Sequence, residues 1–573
     1  MTRGVKTIER TLKKKFSKPL KKIPTFRESL GINTLPELIE FSADKYPDNV
    51  AYRTPRENTL YELTYGMVLE YVKKLARHLK ELGIEKGDHV AILGENRPEW
   101  GISLFAVSWI GAVAIPLDAR AALDSHRFIL SFSSAKAVIA SGSYYTSIKS
   151  VAHELKDLKQ IIPMDNIEDI CGKYSAGAGM ENIDPDSLLE ILFTSGTTGD
   201  PKGVMLSHRN ITSNVDDIHR TINYGPADRA FSILPVHHSY ECTGGLIATF
   251  ASGMSVFYGR GLKPRELLED IKLARPTIWL SAPLILEKLY LRIHKEVSGQ
   301  TGIKGFIKNM LPQSIVKRKI RQSLGFDDIR LIVSGGAALP GWVSSGLSGY
   351  GLEVIQGYGL SEASPLITVN PPSNPKLGSI GMVIPSNDVE IRDIDSEGNG
   401  EIAAKGPNIM IGYYKNKSAT DETITRDGWL LTGDIGYFDE DGYLYITGRK
   451  KFVIVTRGGK NVFPEEVEEK LTKSPFIEEA LVFSPDDVNI QALIYPQMEE
   501  VQRKLEQMGE QITPDNIWEL LRHEIRKTNR ELEAYKKIRQ FALRLEEFPK
   551  TTNRKIKRYL FRNLCLTQDT RIL

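Results

Sequence analysis

The strongest chemical signal in the sequence is a run rich in glycine, serine and threonine, Phe193 to Val204, that directly follows an apolar stretch. Glycine lets a backbone turn tightly and bring its N–H groups close to an anion, and the hydroxyl groups add further donors. The run lacks the G-K-[ST] ending of a Walker A loop. The alternative is a polar surface turn. We interpret the run as a phosphate-binding loop that uses Thr194, Ser195, Gly196, Thr197, Thr198, Gly199 and Lys202.

The order of residues in this loop, SGTTGDPKG from Ser195 to Gly203, resembles the signature of the AMP-forming adenylate-forming enzymes. That superfamily comprises acyl-CoA synthetases, peptide-synthetase adenylation domains and beetle luciferases. The resemblance continues through separate motifs over roughly residues 35–560. It implies ATP and Mg²⁺ as cofactors, with the loop closing over the β- and γ-phosphates.

Two further runs resemble the family's adenine and α-phosphate turns. The run SGGAALP begins at Ser334, and the run GYGLSE ends at Glu362. The resemblance implies that Tyr358 stacks on adenine, that Ser361 contacts the α-phosphate and that Glu362 holds Mg²⁺. An aromatic face, a hydroxyl and a hard oxygen ligand suit these roles. The candidate residues of the two turns are Gly335, Gly336, Ala337, Gly357, Tyr358, Gly359, Ser361 and Glu362.

Three residues near the carboxyl end of the large domain are assigned by the same resemblance. Asp434 ends the run GWLLTGD and would accept hydrogen bonds from both ribose hydroxyls. A carboxylate suits a vicinal diol, as in dinucleotide folds. Arg449 would contact the nucleotide, and Lys451 would be the hinge before the last domain. Taken alone, Asp434 would be interpreted as a turn residue and Lys451 as part of a solvated linker.

The run PKTTNRKIK, which begins at Pro549, resembles the family's C-terminal motif Pro-Lys-Thr-x-x-Gly-Lys-Ile. This places the catalytic lysine at Lys555, whose ammonium would neutralise charge while a carboxylate attacks the α-phosphorus. Arg554 stands where the family has glycine, so we expect the loop before the lysine to differ. Without the upstream motifs, this basic cluster would be interpreted as a solvated surface.

The run LPVHHSYE, from Leu234 to Glu241, resembles the motif Leu-Pro-Leu-x-His-x-Phe/Tyr-Glu of fatty-acyl synthetases. The match places His238 beside the substrate carboxylate, where an imidazole could donate a hydrogen bond. Small residues follow, from Cys242 to Gly245, in place of a bulky aromatic gate. We therefore expect a medium- to long-chain fatty acid as substrate, with CoA as the second substrate.

These motifs must be positioned by alternating strands and helices, which predict an α/β fold. His89 to Leu93 is a predicted strand, after which Asn96 is the expected helix cap and Pro98 suits the first turn. Amphipathic helices are predicted at Pro264–Ala274, near Pro464–Thr472 and near Ile517–Asn529. After Gly378, strands punctuated by glycine predict a small β-barrel-like subdomain. We divide the chain into a basic segment at 1–22, a large N-terminal body of βαβ-type subdomains at 23–450 and a mobile α+β domain at 451–573.

Composition excludes several classes of protein. The 573 residues carry 75 basic and 72 acidic side chains, a net charge of +3 that argues against a nucleic-acid binder. The three cysteines lie far apart without a CxxC pair, so we expect neither a disulfide framework nor a cysteine zinc site. No apolar run reaches the length of a membrane-spanning helix. These features predict a cytoplasmic protein whose oligomeric state stays open.

The first 22 residues differ from the rest because they contain nine basic residues and one acid, Glu9. Val5, Ile8, Leu12 and Phe16 recur at helical spacing. A basic amphipathic helix of this kind can lie on the anionic inner face of a membrane. The alternatives are a solvated tail and, less well matched, an organellar targeting segment.

The motifs together predict a ligase that forms acyl-AMP and pyrophosphate from a fatty acid and ATP, and then transfers the acyl group to CoA. Three alternatives share parts of the pattern. One is an enzyme that loads a carrier protein, the second is a catalytically silent nucleotide- or lipid-binding regulator, and the third is a luciferase-like oxygenase.

Overall fold

A computed structural model describes residues 30–56, 59–195, 201–298, 313–456, 460–486, 489–550, 556–561, 564 and 566. The basic segment 1–22, the loop residues 196–199 and Lys555 lie outside the described residues. In the described part of the chain, no helix is both long enough and apolar enough to cross a bilayer.

The helices and strands are numbered in chain order. The α-helices are α1 (Leu35–Lys45), α2 (Tyr65–Glu81), α3 (Pro98–Trp109), α4 (Leu123–Phe132), α5 (Gly142–Val151), α6 (Ile167–Gly172), α7 (His208–Ile222), α8 (Ala248–Ala251), α9 (Pro264–Ala274), α10 (Pro283–Ser298), α11 (Gln313–Leu324), α12 (Gly341–Gly349), α13 (Lys417–Thr423), α14 (Pro464–Leu471), α15 (Met498–Met508) and α16 (Pro514–Arg530). The strands are β1 (Val50–Arg56), β2 (Thr59–Thr64), β3 (His89–Leu93), β4 (Val113–Leu117), β5 (Ala137–Ala140), β6 (Gln160–Pro163), β7 (Leu188–Ser195), β8 (Pro201–Ser207), β9 (Arg229–Ser232), β10 (Ser255–Tyr258), β11 (Ile278–Ser281), β12 (Leu331–Ser334), β13 (Val354–Gly359), β14 (Leu366–Val369), β15 (Met382–Val383), β16 (Asp388–Arg392), β17 (Gly400–Lys405), β18 (Gly412–Tyr413), β19 (Leu430–Phe438), β20 (Leu444–Arg449), β21 (Ile454–Val455), β22 (Asn461–Val462), β23 (Ile477–Phe483), β24 (Ile490–Pro496) and β25 (Ile538–Leu543).

Two large sheets form the N-terminal body. The first has seven strands in the order β18-β8-β7-β4-β3-β5-β6, and the second has nine in the order β15-β14-β13-β12-β11-β9-β10-β1-β2. The largest hydrophobic core joins residues of both sheets and of the helices between them, including Ile92, Trp100, Phe250 and Val256. Helix α3 is buried along its whole length, as expected for an apolar run that feeds a buried strand.

The remaining sheets are smaller and follow in sequence. The predicted β-barrel-like subdomain is a four-stranded antiparallel sheet in the order β16-β17-β19-β20. Beyond the short turn at Lys450–Phe452, strands β23, β24 and β25 form a sheet with its own hydrophobic core, drawn from residues between Ile454 and Phe541. The fold is therefore a large α/β body followed by a small α+β domain.

Candidate active site

The candidate site lies at one edge of the nine-stranded sheet. Strands β9, β11, β12 and β13 are mutually parallel, so their carboxyl ends meet at the same edge. The segment that contains His238 follows β9, Gly335 and Gly336 follow β12, and Tyr358 and Glu362 lie at and just after the end of β13. Motifs that are far apart in sequence are therefore adjacent in the fold.

The phosphate loop joins the two strands of a hairpin in the seven-stranded sheet. Ser195 pairs with Pro201 across the base of the loop, and Thr194 pairs with Lys202. The Thr194 hydroxyl also donates a hydrogen bond to the Lys202 carbonyl at 3.5 Å. A connection between antiparallel strands differs from the strand-to-helix connection of a Walker A loop, which agrees with the missing G-K-[ST] ending.

Tyr413 links the phosphate loop to the proposed metal ligand. Its hydroxyl donates to Oε1 of Glu362 at 2.7 Å, and the ammonium of Lys202 lies 4.8 Å from the centre of its ring. Burial, followed by the negative charge of Glu362, raises the pKa of Tyr413, so the phenol stays protonated. Lys202 and Glu362 therefore both contact the Tyr413 side chain, one over its ring and the other at its hydroxyl.

Glu362 fits the Mg²⁺ role on the chemistry of its surroundings. Mg²⁺ typically takes one or two protein carboxylates and completes its shell with phosphate oxygens and water. Among the described residues, no group of three or more His, Cys, Asp or Glu side chains could form a metal cage. A single carboxylate beside the phosphate loop suits a metal that arrives with a nucleotide.

Asp434 contacts one candidate nucleotide-binding residue in each of two sheets. Its Oδ2 accepts the Tyr358 hydroxyl at 2.7 Å, and its Oδ1 lies 2.9 Å from Nε of Arg449, the residue opposite it on β20. Burial and then the Asp434 charge raise the pKa of Tyr358 well above its usual value. A carboxylate accepts about four hydrogen bonds, so Asp434 retains acceptor capacity for a ribose diol.

The turn after β12 is shaped by a close approach of Tyr240. A Cβ atom at Gly335 would lie 2.9 Å from the Tyr240 ring, whose hydroxyl donates to the Val333 carbonyl at 2.9 Å. The bare backbone of Gly335 therefore accommodates Tyr240. Gly336 has a φ of +83°, a Cβ atom added to it would meet nothing within 4 Å, and it is exposed together with Ala337.

The segment before His238 is held by Asn96. We expected this asparagine to cap α3, but Arg97 occupies the cap position, and its side chain makes no capping hydrogen bond. Instead the Asn96 amide donates to the Leu234 carbonyl at 2.5 Å, and its oxygen accepts from the Val236 amide at 3.0 Å. The capping prediction was wrong because the side chain has better partners in the neighbouring segment.

His238 lies directly beside the nucleotide motifs. The hydroxyl of Ser239, the next residue, is 3.3 Å from the hydroxyl of Ser361. The ring of His238 is 4.2 Å from that of His237, whose Nε2 lies 3.6 Å from the Asp118 carboxylate. Burial and then the neighbouring His238 ring hold the pKa of His237 well below its usual value, so His237 is neutral. The proposed acyl and α-phosphate positions are therefore adjacent.

A π-helix, Tyr240–Ile247, continues from this segment into the core, carries one buried acid and lies close to a second. Burial raises the pKa of Glu241 to about 8, although Ser232 donates a hydrogen bond to it. Burial also raises the pKa of Glu190, on β7, to about 8, and the Cys242 sulfur lies 4.0 Å from its Oε2. Both carboxyls are therefore predominantly protonated at neutral pH.

The buried Glu190 makes stability depend on pH. The pKa of Glu190 in the folded state lies above its value in the unfolded state. Its contribution to the free energy of unfolding is therefore complete below about pH 4.5 and is lost as pH rises towards about 8. We expect the difference in melting temperature, Glu190→Gln minus parent protein, to be larger at about pH 8.5 than at about pH 5.5. Thermal melts at both pH values measure this, with Glu546→Gln, whose side chain is 88% exposed, as the control. A constant difference between variant and parent would refute the raised pKa.

The structure thus brings together most of the predicted residues that it describes. Sequence reasoning missed Tyr413, Ser239 and Asn96 as contacts of the site. Ser239 lay inside a motif already identified, whereas Tyr413 carries no spacing signal because its partners lie more than 50 residues away. The proposed hinge residue Lys451 is exposed on the turn between β20 and β21.

Two family models match this chain. The family model described as AMP-binding enzyme matches residues 39–414, and that described as AMP-binding enzyme C-terminal domain matches residues 451–568.

Three curated relatives align with most of the chain. The long-chain-fatty-acid–CoA ligase FadD15 of Mycobacterium bovis is 30% identical, over 78% of this chain and 79% of its own. The putative acyl-CoA synthetase YngI of Bacillus subtilis is 28% identical, over 92% and 96%. The chloroplastic long-chain-fatty-acid–[acyl-carrier-protein] ligase AEE15 of Arabidopsis thaliana is 26% identical, over 86% and 80%.

Solved structures share the fold. The anthranilate CoA ligase AuaEII, in complex with anthranoyl-AMP, superposes with a TM-score of 0.76 at 22% identity, over 92% of this chain and 96% of that one. The o-succinylbenzoate CoA synthetase of Bacillus subtilis, in complex with ATP and magnesium, gives a TM-score of 0.72 at 24% identity, over 91% and 98%. At 22% and 24% identity, these similarities show a shared fold and nothing further.

Proposed function

The chain belongs to the AMP-binding enzyme family, and we propose that it is an AMP-forming ligase that activates a medium- to long-chain fatty acid and transfers it to CoA. The observation that carries the proposal is the contact between Ser239 and Ser361, at 3.3 Å, which joins the acyl segment to the α-phosphate segment. Adenylation requires the two reactants to meet at such a point, because positioning supplies much of the rate.

In the first step, a carboxylate oxygen of the fatty acid attacks the α-phosphorus of ATP. A new P–O bond forms, the bond to the β-phosphate oxygen breaks, and pyrophosphate leaves with the electron pair. Tyr358, Asp434 and Arg449 hold the nucleoside, while Lys202 and the loop orient the leaving group. Glu362 would hold Mg²⁺, which supplies charge neutralisation at the phosphates when bound. Lys555 stabilises the charge that develops at the α-phosphate.

In the second step, the CoA thiolate attacks the acyl carbonyl carbon and AMP leaves with the carboxylate-derived oxygen. A carbonyl that becomes tetrahedral needs a hydrogen-bond donor, and we assign that role to His238. The anchoring of the preceding residues, 234–236, by Asn96 supports this assignment. The C-terminal domain rotates about Lys451 between the steps, so that Lys555 leaves and the thiol enters. Domain rotation about a short linker is a common switching motion.

The preference for an alkyl chain is supported by the small residues that follow His238 in the sequence. Cys242, Thr243, Gly244 and Gly245 are all buried in the π-helix, and none carries a bulky side chain. Relatives named as long-chain fatty acid ligases point the same way. A carrier protein is the alternative acceptor, because AEE15 is named for that activity.

An exchange assay tests this proposal. ATP–pyrophosphate exchange is measured with unbranched acids from acetate to hexadecanoate, and then with anthranilate. We expect exchange that rises from acetate to the medium or long chains. Exchange with none of the acids would favour a silent binding regulator, and exchange that ends in acylated carrier protein without acyl-CoA would favour the alternative acceptor.

The basic segment 1–22 is the proposed peripheral contact with an anionic membrane. Each Lys or Arg near an anionic surface adds roughly a factor of five to binding, and the segment has nine of them. We expect deletion of residues 1–22 to lower cosedimentation with phosphatidylglycerol vesicles while leaving ATP–pyrophosphate exchange intact. Unchanged cosedimentation would remove this role from the segment.

A further inference from the structure

One segment of the chain ties the turn that carries Glu362 to the hairpin that carries the phosphate loop. It comprises residues 408–413, and we call it the strap. At its first end, the Met410 N–H donates to the Glu362 carbonyl at 2.9 Å, and the Asn408 amide donates to the Ala363 carbonyl at 2.8 Å. The backbone of the Glu362 turn is therefore held by two hydrogen bonds from the strap.

The other end of the strap is part of the seven-stranded sheet. Its last two residues form β18, in which Gly412 lies opposite Met205 and Tyr413 lies opposite Val204 on β8. The Tyr413 N–H also donates to the Thr420 hydroxyl at 2.9 Å. Because β8 is one strand of the phosphate hairpin, Tyr413 has a fixed position between that hairpin and the Glu362 turn.

The hydroxyl of Tyr413 donates to one oxygen of Glu362. The tyrosine is buried, with 7% of the residue exposed, and a buried tyrosine usually finds a hydrogen-bond partner for its hydroxyl. Here the partner is Oε1 of Glu362, at 2.7 Å. A carboxylate has two oxygens with about four acceptor positions, so Oε2 can still coordinate a metal.

The ring of the same tyrosine lies beside the lysine assigned to the phosphates. The Lys202 ammonium is 4.8 Å from the ring centre. Mg²⁺ in nucleotide sites is bound by one or two carboxylates together with the phosphates of the nucleotide. We therefore expect the metal and the outer phosphates to meet next to Tyr413, within reach of both Lys202 and Glu362.

We propose that Tyr413 is a positioning residue for the metal–nucleotide complex, because its hydroxyl holds the Glu362 carboxylate in the orientation that accepts Mg²⁺. The proposal rests on the proposed function, since it takes Glu362 as the metal ligand. A carboxylate that is already hydrogen-bonded has less rotational freedom to lose when the metal binds. Such partners are typically worth a factor of about 10 to 100 in metal affinity. The alternative is a tyrosine that only completes the packing of the strap.

The conservative variant Tyr413→Phe, made in the full chain, tests this role. It removes the hydroxyl and keeps the ring that lies beside Lys202. The matched control is Tyr414→Phe, the same change at the next residue, whose ring packs against those of Phe132 and His89. The dissociation constant of α,β-methylene-ATP, which cannot be cleaved between its α- and β-phosphates, is measured by calorimetry without acyl substrate. Each protein is titrated once with Mg²⁺ and once with EDTA.

The ratio of the two dissociation constants, EDTA over Mg²⁺, gives the factor by which the metal strengthens nucleotide binding. The same factor describes the effect of the nucleotide on metal binding. We expect Tyr413→Phe to lower this ratio about tenfold and to leave the dissociation constant in EDTA unchanged. The control should match the parent protein in both measurements. In a Glu362→Gln background, Tyr413→Phe should have no further effect on the ratio, since it acts through that carboxylate.

Three results would overturn the positioning role alone. The first is an unchanged ratio in Tyr413→Phe, the second is equal weakening of binding in Mg²⁺ and in EDTA, and the third is a further loss in the Glu362→Gln background. A parent protein whose nucleotide binding does not depend on Mg²⁺ would contradict both this role and the proposed function. Absence of ATP–pyrophosphate exchange, with the expected ratios obtained, would contradict the acyl-activating reaction and leave the role of Tyr413 standing.

Discussion

Replacement of Lys555 by alanine should lower the rate of acyl-AMP formation by about a thousandfold and leave thioester formation from supplied acyl-AMP almost unchanged. Preorganised charge at the reacting phosphorus is commonly worth two to three orders of magnitude in rate. The loss should appear in ATP–pyrophosphate exchange, which reports the first step alone. The second step breaks the acyl–oxygen bond and no bond to phosphorus, so it does not need the charge of this lysine at the α-phosphate.

The matched control for this variant is Lys557→Ala, two residues further along the same basic run. Lys550, near the start of the run, is less suitable as a control, because it forms ion pairs with Glu479 at 2.7 Å and with Glu547. We expect Lys557→Ala to retain most of the exchange activity. Equal losses in both half-reactions of Lys555→Ala would contradict the assigned role, since they would indicate damage to the whole domain.

The second large effect concerns Asp434. We expect Asp434→Ala to lower kcat/KM for ATP by about a hundredfold to a thousandfold. The variant would lose the proposed ribose acceptor, and it would leave the Tyr358 hydroxyl and the Arg449 guanidinium without the carboxylate that holds both. Buried polar groups that lose a charged partner cost more than a simple hydrogen bond.

Comparison of ATP with 2′-deoxy-ATP separates ribose contact from structural damage. The parent protein should prefer ATP by roughly tenfold or more, the value of a hydrogen bond to a charged group, and Asp434→Ala should lose that preference. Tyr358→Phe is the control, because it removes the hydroxyl that Asp434 accepts and keeps the ring. We expect this control to retain the preference. If Asp434→Ala prefers ATP over 2′-deoxy-ATP as strongly as the parent protein does, another group binds the ribose 2′-hydroxyl.

Local sequence rules predicted the elements whose ends are set by their own residues. Helix α9 runs from Pro264 to Ala274 as predicted, because a proline suits its first turn and its apolar residues recur at helical spacing. The predicted helix near Pro464 ends at Leu471, and the predicted helix after Ile517 begins earlier, at Pro514. Such shifts concern only the terminal turns of the helices.

Features that depend on distant partners could not be predicted. Strand β8 begins at Pro201 and contains a glycine, so only its pairing with β7 makes it a strand. Asn96 has the composition of a helix cap, and only the fold shows that its amide serves the Leu234 segment instead. The approach of Tyr240 to Gly335 likewise joins two motifs about 95 residues apart.

The most direct test of the central claim follows a carboxylate oxygen. Hexadecanoate labelled with oxygen-18 in its carboxylate is incubated with ATP, Mg²⁺, CoA and the protein, and the nucleotide product is analysed by mass spectrometry. Attack of the carboxylate on the α-phosphorus, followed by thioester formation, predicts AMP that carries one labelled oxygen, in amounts equal to hexadecanoyl-CoA. Formation of ADP with the label in inorganic phosphate, or of AMP without label, would contradict it.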